Sequence, residues 1–392
     1  MKILLVHNDY GKYSGEEAVV DRMIADGRKA GYEIETLRRT SKFSRDNFWG
    51  RVHGFFAGIW SISGRHMMRE ALRTFQPDIV HIHNLYPFIS PAVLPLCRKA
   101  GVKVIMTVHN YRLMCPTGLF LRDGKPCENC LRNGNERDCI RYNCENDRFR
   151  SLGYALRNMV ARRTRAYLDN VDFFCCLTGF QRQKMIEAGF DAGRIKVFPN
   201  YVKYEKAESP NEVTEAWGKK FVGYVGRLSN EKGVDMVVEV ARRHPEIEFR
   251  MAGRLRENMD LDIPSNVRLL GQISPALLAR FYEKAAFIVM PSRCYEGFPM
   301  VMLEASSHRR CCIAPNHGAF PDLMTDKDNN ELCGILFDAL DVDDLEKKVV
   351  ELWNDEAKCK RLGNMAEANC RKRFLKHNVN MAWDAFLKDL IK

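Results

Sequence analysis

Residues 220–233 have the sequence KFVGYVGRLSNEKG, in which a short apolar run is followed by a polar loop. The apolar run predicts a buried β-strand. Gly226 and Gly233 enclose the loop, and glycine lets a backbone come close to a bound ligand. Between them lie Arg227 and Lys232. The planar guanidinium of arginine and the compact ammonium group of lysine both bind phosphate oxygens. The stretch therefore predicts a strand whose carboxyl end binds an anion.

Comparable apolar runs alternate with polar, helix-compatible segments along the chain. Most of them are rich in Val, Ile, Leu and Phe without polar alternation, which is typical of strands covered on both faces. This order predicts an α/β fold of doubly wound parallel sheets, whose ligands bind at the carboxyl ends of the strands. With Lys220–Val225, the predicted strands are Lys2–Val6, Asp78–Ile82, Lys103–Val108, Asp172–Leu177, Lys196–Phe198, Ile247–Met251, Ala286–Met290 and Cys311–Ala314.

The chain of 392 residues is long enough for two domains. A polar stretch at 203–219 separates the two halves, so we place one domain at 1–199 and the other at 200–377. Residues 378–392 are expected to form a C-terminal helix that packs back on the first domain. The 46% of hydrophobic and 28% of charged residues exclude a mainly disordered or a collagen-like chain.

The apolar segments and the cysteines predict the compartment. No run approaches the ~18 apolar residues of a membrane-spanning helix. The apolar stretch at the N-terminus is too short for a signal peptide and is predicted to be the first strand. We therefore expect a cytoplasmic protein whose 14 cysteines stay reduced.

Two other strand ends of the second half carry residues that suit a ligand. Gly253 follows a predicted strand, and Gly297 with Pro299 suits a turn into a helix. The N-terminus of such a helix attracts anions. Glu296 stands before that helix and Glu304 stands within it, about two turns further on. Two carboxylates at this separation suit two hydroxyl-bearing groups of one extended ligand.

The order and spacing of these motifs, with Phe198-Pro199-Asn200 before them, resemble the retaining glycosyltransferases of family 4. The resemblance covers nearly the whole chain and implies the GT-B architecture, two Rossmann-like domains that face a central cleft. It implies hexosyltransferase-type transfer of a sugar from a nucleotide-sugar donor to a glycan or lipid-linked acceptor, with retention of anomeric configuration, in cell-surface polysaccharide biosynthesis. It also implies catalytic roles for His109, Glu296, Arg227 and Lys232, and donor binding by Gly15, Gly226, Arg227, Lys232, Gly253, Glu296, Gly297, Phe298 and Glu304.

The same resemblance divides the roles among these residues. Arg227 and Lys232 would hold the diphosphate, Glu304 the ribose and Glu296 the donor sugar. His109 matches the family's histidine near that sugar, and a hydrogen-bonded histidine at a strand end is the alternative. The family usually has Gly-Gly-Ala-Glu where this chain has Ser-Gly-Glu-Glu at 14–17, which leaves the acceptor side open. Because fixed cations and a helix N-terminus stabilise a leaving diphosphate, we expect no catalytic divalent metal and no other catalytic cofactor.

Five cysteines follow the pattern Cys115-x11-Cys127-x2-Cys130-x8-Cys139-x4-Cys144. In a reduced compartment this spacing predicts a tetrahedral structural metal site within a polar insertion at 115–144. We expect structural zinc bound by Cys115, Cys127, Cys130 and Cys144, with Cys139 as a substitute ligand. An iron–sulfur cluster, disulfides and unligated thiols also stay open. A subset of the family resembles the chain in this loop.

The net charge of +11 is concentrated in two stretches. Residues 38–73 hold eight Lys or Arg against two Asp or Glu, and residues 141–168 hold seven against two. In the first stretch, Trp49, Phe56 and Trp60 recur at helical spacing among the basic residues. Aromatic residues beside cations suit an anionic membrane surface, so we expect peripheral attachment to the inner face of the cell membrane. The alternative is that these side chains pack on a sheet.

Three further classes of protein stay open. A nucleotide-sugar epimerase is built on the same architecture, and a family member can lose catalysis and only bind its ligand. Basic patches with a cysteine cluster also suit a non-catalytic zinc protein that binds nucleic acid. Nucleic-acid binding does not explain the paired glutamates or the Gly-Arg and Lys-Gly motifs. We therefore expect no nucleic-acid partner.

Overall fold

The structure is a computed structural model that describes residues 1–10, 14–41, 48–202, 220–256, 259 and 261–392, without the side chains of Phe48 and Arg51. The polar stretch 203–219, and Arg45 of the first basic stretch, lie outside the described residues. The chain forms two compact units. The first comprises Met1–Phe120, Glu128–Phe198 and Trp383–Lys392, and the second comprises Leu121–Cys127 and Pro199–Ala382.

The strands of the two units account for all nine predicted strands, to within three residues at each end. They also include strands that were not predicted, namely β2, the hairpin β5–β6, β11 and β14. In chain order the strands are β1 Lys2–Asp9, β2 Glu33–Thr40, β3 Ile79–Asn84, β4 Lys103–Val108, β5 Leu121–Arg122, β6 Lys125–Pro126, β7 Phe173–Cys176, β8 Ile195–Val197, β9 Phe221–Val225, β10 Phe249–Ala252, β11 Val267–Gly271, β12 Ala285–Val289, β13 Cys312–Pro315 and β14 Ile335–Phe337.

Helices connect most of these strands, as a doubly wound fold requires. In the described part of the chain, no helix is both long and apolar enough to cross a membrane. The helices are α1 Gly15–Lys29, α2 Phe48–Ile59, α3 Ile62–Thr74, α4 Leu94–Lys99, α5 Asn129–Arg132, α6 Arg137–Arg141, α7 Arg148–Arg163, α8 Ala166–Asn170, α9 Gly179–Glu187, α10 Val234–Arg243, α11 Pro275–Lys284, α12 Met300–Ser307, α13 Phe320–Met324, α14 Val342–Asn354, α15 Glu356–Phe374 and α16 Lys376–Leu390.

The first unit contains a six-stranded parallel sheet in the order β2-β1-β3-β4-β7-β8. Its central strands are almost fully buried, so most of their positions are apolar, although β3 also buries the two histidines His81 and His83. Near the end of α16, Leu387 packs in a cluster with Ile3, Ile79 and Ile105 of this sheet. The strand order reverses between β1 and β3, so a ligand is expected at the carboxyl ends of these two strands.

The second unit contains another six-stranded parallel sheet, in the order β11-β10-β9-β12-β13-β14. Its core includes Val222, Val237, Phe249 and Phe287, which bury the sheet face against helices such as α10. Burying each such side chain contributes about 1.5–3 kcal/mol. The strand order reverses between β9 and β12, and the two most distinctive motifs of the sequence follow these strands. The prediction of two Rossmann-like doubly wound units is confirmed.

Candidate active site

The second unit brings Lys232 and Glu296 together at the carboxyl ends of β9 and β12. The Lys232 Nζ lies 2.5 Å from the Glu296 Oε1, and the hydroxyl of Ser292 donates a hydrogen bond to the same oxygen. Burial alone would raise the pKa of Glu296, but the charge and the hydrogen bond of Lys232 hold it below its ordinary value. Burial alone would lower the pKa of Lys232, but the charge of Glu296 raises it above its ordinary value. The two side chains therefore form a mostly buried ion pair.

The carboxylate of Glu231 holds Arg227 beside this pair. The guanidinium Nη2 lies 3.0 Å from the Glu231 Oε1, and the Arg256 Nη1 lies 3.1 Å from the other oxygen. Burial tends to raise the pKa of Glu231, but Arg227 and its other partners lower it. Because the side chain of Glu231 is 6% exposed whereas that of Arg227 is 57% exposed, a buried carboxylate holds a cation that faces solvent. Glu231 was given no role from the sequence, although its spacing of four residues from Arg227 was a usable signal.

The glutamates lie as predicted relative to α12, with Glu296 before the helix and Glu304 inside it. The Tyr282 hydroxyl donates to the Glu304 Oε2 at 2.8 Å, so a buried side chain orients this carboxylate. Burial and the neighbouring Glu304 raise the pKa of Tyr282, which therefore stays protonated and can donate. Phe298 is buried against Phe374, with their ring centroids 5.8 Å apart, so its side chain serves packing.

The glycines at the strand ends have a structural reason that the sequence did not reveal. Gly253 has a φ of 153°, and a Cβ atom there would lie 1.7 Å from the carbonyl oxygen of Gly226. Gly233 has a φ of 68°, and a Cβ atom there would lie 2.0 Å from the carbonyl oxygen of Pro291. These contacts bring the loops after β9, β10 and β12 against one another. The glycines thus allow one backbone to approach another, whether or not they also approach a ligand.

In the first unit, buried histidines line the carboxyl ends of β3 and β4. The His83 Nδ1 lies 2.7 Å from the His109 Nε2, and the His81 Nε2 lies 2.8 Å from the Thr107 Oγ1. Burial lowers the pKa of His109 to about 4. Burial, with the charge of His109, lowers the pKa of His81 to about 3. His109 is therefore a neutral, hydrogen-bonded imidazole at neutral pH.

The four residues Ser14 to Glu17 have separate structural roles at the start of α1. Ser14 is the N-cap, and it forms a capping box with Glu17. A Cβ atom on Gly15 would meet no atom within 4 Å. Glu16 accepts a hydrogen bond from the Tyr10 hydroxyl at 2.8 Å. Burial raises the pKa of Glu16 above its ordinary value, against the lowering effect of Arg112.

Polar atoms without a hydrogen bond mark the same place in the first unit, where the His7 Nδ1 lies 3.9 Å from the Glu16 Oε1 and the His7 Nε2 lies 3.5 Å from the Asp9 Oδ1. Both ring nitrogens of His7 and the Glu16 Oε1 are buried and make no hydrogen bond. Buried polar atoms are nearly always bonded, so these atoms indicate where a polar ligand group would bind. Tyr10 and Arg112 also meet here, with the Arg112 Nη1 3.0 Å from the tyrosine hydroxyl. Neither residue was predicted from the sequence, because the two are distant in the chain and match no motif.

Within the described residues, one group of His, Cys, Asp or Glu side chains is compact enough for a metal ion, and it contains no cysteine. One ligand atom each from His7, Asp9 and Glu17 lies within 4.8 Å of the others. Asp9, however, accepts hydrogen bonds from Arg38, at 2.9 Å from the Nη2, and Glu17 accepts from the backbone of Tyr10 and Ser14. Because both carboxylates already have structural partners, we assign no ion to this group.

The cysteine-rich segment is divided between the units. Cys115, Cys130, Cys139 and Cys144 belong to the first unit, whereas Cys127 ends the stretch Leu121–Cys127 that groups with the second. All 14 cysteines lie in the described part of the chain, and none forms a disulfide.

Comparison with known proteins identifies the chain. The model of a family described as "Glycosyltransferase Family 4" matches residues 13–206, and that of "Glycosyl transferases group 1" matches residues 205–369. The two parallel α/β units match solved structures of the GT-B fold, such as a sucrose-phosphate synthase from Thermosynechococcus elongatus, which is 15% identical and superposes with a TM-score of 0.73 over 99% of this chain and 98% of its own. The chain belongs to the family 4 glycosyltransferases of this architecture.

Three similar proteins illustrate the relationship. A 42.6 kDa protein of the cps region of Klebsiella pneumoniae is 28% identical over 289 residues, 70% of this chain and 68% of its own length. The poly(ribitol-phosphate) α-N-acetylglucosaminyltransferase of Staphylococcus aureus is 24% identical over 53% of this chain and 42% of its own length. The Anabaena protein HepE, solved in complex with UDP-glucose, is 15% identical and superposes with a TM-score of 0.66 over 99% of this chain and 100% of its own.

Proposed function

We propose that this protein is a retaining, hexosyltransferase-type enzyme that transfers a sugar from a nucleotide-sugar donor to a glycan or lipid-linked acceptor during cell-surface polysaccharide synthesis. The observation that carries the proposal is the ion pair of Lys232 and Glu296 at the switch point of the second unit. Its ammonium group suits a diphosphate, and its carboxylate suits the hydroxyls of a sugar. The Anabaena relative, which was solved with UDP-glucose, supports a donor of this class.

The proposed reaction breaks the bond between the anomeric carbon of the donor sugar and the diphosphate oxygen. Negative charge then grows on the leaving nucleoside diphosphate. Lys232, Arg227 and the N-terminus of α12 stabilise this charge without a divalent ion. Glu296 and Glu231 hold the two cations in place before the donor binds, so little reorganisation is needed when the charge appears. Glu304, oriented by Tyr282, holds the ribose hydroxyls.

The first unit is proposed to serve the acceptor. His109 is neutral, so it contributes hydrogen bonding instead of charge, and His83 fixes the orientation of its ring. The ring nitrogens of His7 and the Glu16 Oε1, which make no hydrogen bond, would receive hydroxyl groups. The S. aureus relative acts on a polymer of ribitol phosphate, which is anionic, and its name specifies an α-linked product. An acceptor with negative charge would also match the two basic stretches of this chain.

Incubation with a panel of nucleotide sugars tests the proposal. We expect one donor to release its nucleoside diphosphate, more quickly when a matching glycan acceptor is added. NMR of the product should show the anomeric configuration of the donor. An epimerase would instead convert the nucleotide sugar to its isomer without transferring it to an acceptor, and a binding protein would do neither. Absence of both release and saturable binding across uridine, guanosine, adenosine and thymidine donors would contradict the proposal.

We also propose that the first unit attaches to the anionic inner face of the cell membrane through α2. Trp49 is 77% exposed, Phe56 is 64% exposed and Trp60 is 55% exposed. Phe55, on another face of the helix, stacks on Phe149 with ring centroids 4.8 Å apart. One face of α2 thus packs on α7 while large aromatic groups face outward, and such groups suit the interface of a bilayer.

The basic residues near α2 and α7 do not all contribute to such a surface. Arg65 extends over the exposed ring of Trp60, 4.8 Å from its centroid. Arg157, by contrast, is buried between Tyr86 and Tyr154. The net charge of the stretch 141–168 therefore overstates the cations available to a membrane.

Replacing Trp49, Phe56 and Trp60 together with serine is expected to remove the salt-resistant part of binding to anionic vesicles. Each Lys or Arg near the surface contributes roughly 1 kcal/mol, which salt screens, whereas inserted aromatic rings are not screened. Sedimentation with phosphatidylglycerol vesicles at low and high salt measures both parts. A matched control replaces three exposed leucines of the second unit, Leu255, Leu269 and Leu332, and should leave binding unchanged. If the wild type does not bind at low salt, the membrane proposal is wrong.

A further inference from the structure

The loop that follows β13 carries a histidine, His317, which has no role in the reaction proposed above. Strand β13 lies next to β12 in the parallel sheet of the second unit. The loops after such neighbouring strands meet at the same edge of the sheet, where ligands of this fold bind. The His317 Nε2 lies 2.9 Å from the carbonyl oxygen of Ser292, in the loop after β12. The hydroxyl of Ser292 in turn donates to Glu296, so one residue connects the histidine to the candidate active site.

Packing against Tyr295 holds the imidazole of His317 in place. The two rings have centroids 5.3 Å apart and planes inclined by 48°. The next residue, Gly318, has a φ of 64°, and a Cβ atom there would lie 3.4 Å from the Tyr295 Cδ1. Glycine therefore permits both the turn and the close approach of the two loops. Tyr295 and His317 are each partly exposed, so they lie at the surface of the second unit, where a ligand can reach them.

The hydrogen bond to Ser292 decides which ring nitrogen of His317 carries the proton. A backbone carbonyl only accepts, so the Nε2 donates and must carry the hydrogen. Burial lowers the pKa of His317, against the raising effects of the Ser292 carbonyl and Glu296, so the ring is neutral at neutral pH. In a neutral imidazole with its hydrogen on Nε2, the Nδ1 has a lone pair and can only accept.

The Nδ1 of His317 is a buried acceptor without a hydrogen bond. Buried polar atoms of native proteins are nearly always bonded, and an unpaired one is costly. The oxygens of a diphosphate or a carboxylate cannot bond to this nitrogen, because they too only accept. The Nδ1 therefore requires an O–H or N–H donor. A nucleotide sugar offers such donors on its sugar, as hydroxyl or acetamido groups, next to the diphosphate.

We propose that His317 determines which donor sugar is accepted, because its Nδ1 accepts a hydrogen bond from a hydroxyl or an acetamido N–H of that sugar. The inference rests on the proposed function, since it needs a nucleotide sugar at this edge of the second unit. Glu296 is proposed to bind hydroxyls of the same sugar, and Ser292 bonds to both side chains. The sugar therefore carries a hydrogen-bond donor at a position where a deoxy carbon or a carboxylate would leave the Nδ1 unpaired.

Kinetics with the donor identified by nucleotide release, and with analogues in which hydrogen replaces one hydroxyl or acetamido group of its sugar, tests the proposal. For the wild type, kcat/KM should fall by about 10–100-fold with one analogue, which leaves the Nδ1 unpaired. His317→Phe should lower kcat/KM for the complete donor by a similar factor, and should treat that analogue and the complete donor alike. His317→Asn, whose Oδ1 can replace the Nδ1 as acceptor, should keep part of the discrimination.

The matched control is His244→Phe, which also exchanges a histidine of the second unit for phenylalanine. His244 follows the last residue of α10, and its Nε2 lies 2.8 Å from the Glu346 Oε1. Helix α10 begins two residues after Lys232 and has ten residues, so His244 is about 15 Å further along its axis. This variant should keep both the wild-type kcat/KM and the discrimination among the analogues.

Two results would overturn the role of His317 while leaving the proposed function intact. In the first, His317→Phe lowers kcat/KM by the same factor for the complete donor and for every analogue, as a structural residue or one that binds a water molecule would. In the second, the wild type singles out none of the analogues, a result that does not depend on whether the variants fold. Binding of the nucleoside diphosphate alone, measured by calorimetry, should be unchanged in His317→Phe, and a tenfold loss would place the histidine at the diphosphate instead. A wild type that transfers sugar from no donor contradicts the proposed function, and this inference with it.

Discussion

Replacing Lys232 with alanine is expected to lower the kcat of sugar transfer by about 10²–10³, the usual cost of removing one fixed group that stabilises developing charge. Lys232 is mostly buried and paired with Glu296 at 2.5 Å, so its charge is in place before the donor binds. Its loss would also leave the Glu296 carboxylate in a buried position without its cation, and burial by itself raises the pKa of that group. Steady-state kinetics with the donor identified by nucleotide release measures the effect. A fall in kcat larger than the rise in KM would place the role in the transition state.

Arg227→Ala should reduce kcat in the same range, because this cation is expected to meet the same diphosphate. A matched control is Lys360→Ala, which removes the lysine of an exposed ion pair with Glu356 at 2.7 Å on α15. Exposed pairs of this kind contribute little to stability, so the control should behave as the wild type. Near-normal turnover by both Lys232→Ala and Arg227→Ala would show that neither residue serves the leaving group.

The strands that the sequence predicts are mostly rich in Val, Ile, Leu and Phe. Strand β12 has the sequence AAFIV and is mostly buried, and an apolar run of this kind identifies a strand that is covered on both faces. The missed strands β2 and β11 lie at the edges of their sheets. In β2 only Leu37 is buried, and the remaining positions are charged, polar or partly exposed. Edge strands have one neighbour and need little apolar surface, so their sequences resemble those of surface loops.

The sequence indicates candidate residues for the site but not the side chains that orient them. Arg227, Lys232, Glu296 and Glu304 were selected as residue types that suit a nucleotide sugar. The groups that orient them include Glu231 and Tyr282, and the contact of Tyr282 with Glu304 spans 22 positions of the sequence. No local pattern signals a contact of this kind, because it arises from the packing of α11 beside α12.

The cysteine segment shows the same limit on a smaller scale. Spacing alone favoured Cys127 and Cys130, which form a Cys-x2-Cys pair. The compact units divide this pair, because Cys127 groups with the second unit and Cys130 with the first. Sequence spacing gives no indication of this division.

Gly253→Ala is expected to destabilise the second unit by about 3–5 kcal/mol, in the range of the most damaging point substitutions. Two effects combine at this position. The φ of 153° is one that side chains rarely adopt, and the new Cβ atom would lie 1.7 Å from the carbonyl oxygen of Gly226. The loops after β9 and β10 must then separate, which also displaces Arg227. Urea unfolding followed by circular dichroism measures the free energy, and donor affinity should fall with it.

Gly271→Ala separates these two effects within the same unit. Gly271 has a φ of 64°, but a Cβ atom there would meet nothing within 4 Å. This variant should therefore lose only the conformational part, about 1–2 kcal/mol for a left-handed residue, and keep the affinity for the donor. If Gly253→Ala unfolds at the same urea concentration as Gly271→Ala, the close contact with Gly226 is not needed by the fold. The glycine at 253 would then have to be explained by the approach of a ligand, as the sequence alone suggested.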